Sequence, residues 1–183
     1  MDRFLTEFRA ELVGNRLIGH ASVFGQMAPM AGGYEQMAST AFDAALEDPK
    51  TDVRALVNHN PTMVLGRQSS KTLSLSVDKE GLRFEIELPD TSYARDLREL
   101  VARGDVTGAS FGFIPGEDAV SRAPDGKQIR THTSVARLLD VSPVTWPAYE
   151  GATVALRHVT FSVHSAREQA IRARAALLER KQR

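Results

Sequence analysis

Hydrophobic and polar residues alternate most strictly in two neighbouring stretches of this chain. Leu73, Leu75 and Val77 alternate with Thr72, Ser74 and Ser76; beyond Asp78-Lys79-Glu80-Gly81, Leu82, Phe84, Ile86 and Leu88 alternate with Arg83, Glu85 and Glu87. A period of two belongs to a strand with one buried face. A glycine-bearing loop between two such runs predicts a hairpin. The period then changes. Asp90-Thr91-Ser92 offers N-caps to a helix with apolar positions Tyr93, Ala94, Leu97, Leu100 and Val101, and Gly104 stands where a left-handed C-cap belongs. Residues 15–24, 53–59, 106–114, 128–133 and 135–144 read as further strands, and residues 39–46 as a short helix ended near Asp48-Pro49. Asn60-Pro61 and Pro124-Asp125-Gly126 read as turns, and Ala31-Gly32-Gly33 as a loop. Residues 153–156 and 159–163 predict two short apolar strands, and Ser165-Ala166-Arg167-Glu168 is a capping box opening a final, alanine-rich helix. Hairpins rather than βαβ units dominate, so the pattern predicts a mainly β (α+β) fold with peripheral helices, a small antiparallel β-barrel or sandwich.

At 183 residues, 42% hydrophobic and 25% charged, the chain suits one globular domain over residues 1–164 with an appendage at 165–183. No apolar run is long enough to span a bilayer, and the mixed-charge opening Met1-Asp2-Arg3-Phe4 lacks a signal peptide's apolar stretch, so no membrane is expected. There is no cysteine, which removes disulfides and thiolate chemistry. The five histidines show no ligand spacing, so neither metal nor cofactor is expected. Net charge is zero, but the last 19 residues carry six basic side chains against two acidic ones, leaving a mildly acidic body. That balance argues against nucleic-acid binding by the body. It leaves room for a tail that touches an acidic surface.

The candidate chemistry lies in three separated segments. Ser110 stands in Gly108-Ala109-Ser110-Phe111-Gly112-Phe113. On a strand it shares a face with Gly108 and Gly112, while Phe111 and Phe113 point the other way and can anchor the strand in the core. His59 ends the apolar run Leu56-Val57-Asn58. A neutral imidazole is the usual base for a hydroxyl nucleophile. Asp140 is the one acid in Leu138-Leu139-Asp140-Val141-Ser142, where burial demands a partner, and a ring N–H of His59 would supply it. His132 competes for that third position, because an imidazole can also orient an imidazole. The α/β-hydrolase elbow Gly-x-Ser-x-Gly is absent around Ser110.

Together these segments resemble the prohead (capsid maturation) serine protease family of tailed phages. The resemblance rests on Asn58-His59, Leu65-Gly66-Arg67, Gly108 to Phe113, and Asp140 to Ala148, with support from Ile18 to Phe24 and Gly81-Leu82, in the family's order. It implies a fold similar to the herpesvirus assemblin proteases, with Ser110 as nucleophile, His59 as general base and Asp140 as third member. Many members carry Glu where this chain has Asp140, and an acid where it has Asn60. Arg67 and the chain at Phe111 and Gly112 are the candidates for oxyanion or substrate contacts. The implied partners are the precursor of a major capsid protein with its scaffold region, and finally the enzyme itself by autocatalytic cleavage. The implied setting is the immature capsid in the bacterial cytoplasm; homo-oligomerisation is left open. The rival expectation is a capsid-assembly or scaffold-associated protein of the same fold without activity.

Overall fold

The alternating patterns become sheet faces in the computed structural model, which describes residues 11–146. The strands expected at 153–156 and 159–163 and the helix expected from Ser165 lie outside the described residues. In chain order the described elements are β1 (Glu11–Val13), β2 (Arg16–Val23), β3 (Ala28–Met30), β4 (Gly33–Met37), α1 (Asp43–Glu47), β5 (Arg54–Val57) and β6 (Asn60–Arg67). There follow β7 (Leu73–Val77), β8 (Gly81–Glu87), α2 (Ser92–Arg103), β9 (Gly108–Pro115), β10 (Asp118–Arg122), β11 (Gln128–His132) and β12 (Val135–Val144).

The strands build three four-stranded sheets, ordered β1-β2-β8-β7, β10-β11-β4-β3 and β6-β5-β12-β9. The expected hairpin is β7–β8, with Leu75 opposite Phe84 and Leu73 opposite Ile86. Leu17, Leu82, Phe84 and Ile86 of this first sheet meet Ala55, Leu65, Leu138 and Val141 of the third in one buried core, which Phe42, Ala94 and Leu97 complete. The helix α2 ends as its sequence predicts, with Gly104 at φ +80° and its N–H on Leu100 and Val101 carbonyls.

Three expectations are corrected. The mainly β class holds, but the described sheets close into no barrel. Nor are they wholly antiparallel: β11 runs parallel to β4, and β12 parallel to β5. Parallel neighbours need a crossover between them, so hairpin-level patterning gives no sign of them. Finally, Asn60-Pro61 is no turn. It opens β6, and the turn falls two residues earlier at Asn58-His59, both with positive φ. The strand β10 escapes the pattern altogether, because all five of its residues are exposed and no face alternates.

Candidate active site

The third sheet assembles the site from its edge strand β9, the neighbouring β12 and the turn after β5. Ser110 of β9 lies opposite Ser142 of β12, and Gly112 opposite Asp140. Directly opposed residues share a face. Ser110, Gly112, Asp140 and Ser142 therefore line one side of the sheet. Val141 opposes Phe111 on the other side, where the Phe111 ring meets Phe42 edge-on, centroids 5.3 Å apart. The aromatic residues anchor β9 in the core as the alternation predicts, and the serine faces away from it.

The third residue arrives by a tight turn. With Val57 opposite Asn60, only Asn58 and His59 are left to join β5 to β6. Their φ values of +50° and +56° match a type I′ hairpin turn, which needs positive φ at both central residues. Asparagine tolerates that conformation through its short polar side chain; for histidine it costs about 1–2 kcal/mol. Contacts across the sheet hold the turn in place. Asn58 donates its backbone N–H to Pro143 O at 3.0 Å, and its Oδ1 accepts the N–H of Thr145 at 2.9 Å. The turn thus sits on the end of β12, and the His59 ring folds back along the sheet face.

There, His59 Nδ1 meets Asp140 Oδ1 at 2.6 Å. The side chains are 24% and 13% exposed, so the pair is screened from solvent but still open on one side. Among the described residues Nε2 has no hydrogen-bond partner. Two devices aim the carboxylate. The β9–β12 register shifts between Leu138 and Asp140, and such bulges commonly redirect a side chain beside an active site. Gly112 makes room, since a Cβ built there would lie 2.3 Å from Asp140 Oδ2. The space over Gly112, a candidate for substrate contact, is taken by the carboxylate's own oxygen. Ser142 adds a second hydrogen bond to Oδ1, at 2.7 Å.

The other candidates fall elsewhere. His132 lies on β11 in a different sheet; it is 2% exposed, with Nδ1 on Asp118 at 3.0 Å and Nε2 on Glu35 at 3.3 Å. It does not approach His59, and Phe113 stacks edge-on against it. Arg67 ends β6 opposite Arg54, with its Nε on Asp52 Oδ2 at 2.8 Å. These hydrogen bonds hold the Asp52 carboxyl down to about 2 and raise Arg67 further. The Phe111 side chain is turned to the core, so what it can offer a substrate is its backbone N–H. Sequence reasoning names Asn58 only as part of a motif and passes over the role of Ser142. Their signals were an asparagine before the histidine, marking positive φ, and the Asp-x-Ser spacing that puts both side chains on one strand face.

A hydroxyl, a histidine with one free nitrogen and a carboxylate on its other nitrogen, gathered on one sheet face, are the groups of a serine hydrolase. A family model described as caudovirus prohead serine protease matches residues 6–167. The chain belongs to this family. No curated protein and no solved structure shows a significant match.

Proposed function

We propose that this chain is a serine endopeptidase that cuts the scaffold region of a capsid precursor, and finally itself, inside the immature capsid. Ser110 is the nucleophile, His59 the general base and Asp140 the residue that orients the base. The observation that carries this reading is the 2.6 Å contact of His59 Nδ1 with Asp140, on the sheet face that also carries Ser110 and with Nε2 unpartnered among the described residues.

In the proposed cycle His59 Nε2 takes the Ser110 proton as Oγ attacks a backbone carbonyl of the substrate. Asp140 accepts the Nδ1 hydrogen bond throughout, which fixes the tautomer and stabilises the imidazolium that forms. Backbone N–H groups along β9 next to Ser110 serve in this reading as donors for the developing oxyanion. The His59 proton then goes to the leaving amine, and the acyl-enzyme bond to Ser110 breaks when His59 activates a water.

The test is co-expression with the major capsid precursor of the same genome, comparing wild type with Ser110→Ala by intact mass. A precursor shortened only in the presence of wild type supports the reading and locates the scissile bond. Equal shortening with a folded Ser110→Ala chain removes Ser110 as nucleophile.

A further inference from the structure

The hydroxyl of Ser142 takes no part in that cycle, yet it is fully buried at the heart of the site. Both of its hydrogen bonds go to the base and its acid. Ser142 Oγ–H donates to Asp140 Oδ1 at 2.7 Å, and the same oxygen accepts the backbone N–H of His59 at 3.3 Å. His59 Nδ1 closes the circuit on the same Oδ1 at 2.6 Å. The ring of contacts therefore enters His59 twice, once at its backbone and once at its imidazole.

The direction of each bond is forced. An ionised carboxylate only accepts and an amide N–H only donates, so the group between them must do both. A hydroxyl does so; an apolar side chain of the same size does neither. The backbone contact falls where support is needed, because His59 holds φ +56° at the second position of its turn. Rotation of that peptide would swing the imidazole off the sheet face. The contact to Asp140 falls on the oxygen that orients the imidazole, while Gly112 leaves room for the other. Burial with both functions engaged also leaves Ser142 no freedom to act as a nucleophile itself.

We infer that Ser142 is a positioning residue for the base. It locks the left-handed backbone at His59 and the rotamer of Asp140 together, so that Nδ1 is held and Nε2 is left free. This rests on the reading of Ser110, His59 and Asp140 as the reacting set.

The test compares Ser142→Ala, Ser142→Thr and Ser142→Cys. Kinetics are followed on a peptide spanning the scissile bond; the downfield proton resonance of His59 Nδ1–H is followed in the Ser110→Ala background, where self-cleavage does not intrude. Ser142→Ala is expected to lower kcat about 10- to 100-fold with KM changed less than about two-fold, the scale on which a misplaced catalytic group acts. Its Nδ1–H resonance should broaden into exchange with water. Ser142→Thr, which keeps donor and acceptor, should restore both readouts to within about three-fold, with Ser142→Cys between the two because its hydrogen bonds are weaker. Wild-type kcat and a sharp resonance in folded Ser142→Ala would overturn the inference. So would equal losses in folded Ser142→Ala and Ser142→Thr, which would assign the effect to packing alone. Should Ser142→Ala not fold, Ser142→Cys decides: full activity with a sharp resonance overturns the inference. The resonance stays informative even if Ser110→Ala proves active, so failure of the catalytic reading is separable from failure of this one.

Discussion

Among the described residues three histidines hold short contacts to carboxylates, His20 meeting Asp78 at 2.8 Å, and the instructive contrast is between the other two, His132 and His59. His132 is buried at 2% exposure between Asp118 of β10 and Glu35 of β4, with both ring nitrogens engaged. It ties three strands of the second sheet together. His59 reaches one carboxylate only, keeps Nε2 unpartnered among the described residues, and shares its sheet face with a half-buried serine. A histidine–carboxylate pair is therefore a common structural part. What makes one of them a candidate base is an unengaged nitrogen on the sheet face that carries Ser110, and that comes from the turn that carries His59.

The sharpest way to break the comparison is to remove each histidine in turn. His59→Ala should lower the rate of precursor cleavage about 10⁴-fold or more, with little change in thermal midpoint. His132→Ala should do the reverse, destabilising the fold by about 2–4 kcal/mol, because it leaves a cavity and two carboxylates without their partner. Cleavage per folded molecule, from active-site titration against chemical denaturation, should then stay within about two-fold of wild type. A catalytic collapse in folded His132→Ala would reverse the assignment of the two histidines.

Gly112→Ala probes the same contrast from the acid's side. The added methyl would meet Asp140 Oδ2 at 2.3 Å, so the carboxylate must move. The expected cost is about 1–3 kcal/mol of stability from overpacking, with a loss of about 10²-fold in kcat. A 15N-histidine spectrum should show the His59 signals shifted and those of His132 unchanged.

The smallest effect is expected at an ion pair outside both histidine sites. Arg67 donates hydrogen bonds to Asp52 and holds its carboxyl down to about 2 from 3.8. A carboxyl lowered on folding adds stability above about pH 3.8, and that contribution is lost as pH falls towards 2. Asp52→Asn should flatten the stability profile in that window. Urea midpoints between pH 2 and 5 measure it; an unchanged acid limb would show that the pair contributes nothing.

Much of the site was legible because its parts follow strand arithmetic. Alternation around Ser110 put the phenylalanines on the core face and the serine on the other. Asp140, alone in an apolar run, asked for a partner, and His59 supplies it. The turn was misread because Asn60-Pro61 has turn composition, whereas the register of β5 on β6 favours Asn58-His59, with asparagine in the left-handed position. Arg67 drew attention by its motif, and the fold commits it to Asp52. The carboxylate packed on Gly112 was invisible in advance, since glycine in a strand signals closeness to something without naming it.

By itself, then, the sequence determined most local elements, the core-facing residues and the candidates for nucleophile, base and acid, because these depend on periodicity and side-chain chemistry within short windows. The tertiary structure decided which histidine meets which carboxylate, the sheet order, the parallel pairing of β5 with β12, and the placing of Ser142 between Asp140 and the His59 backbone. The contacts of His59 with Asp140 and Ser142, for example, join residues 81 and 83 positions apart. They follow from strand register, which is set by how whole faces are buried against one another rather than by any local run of residues.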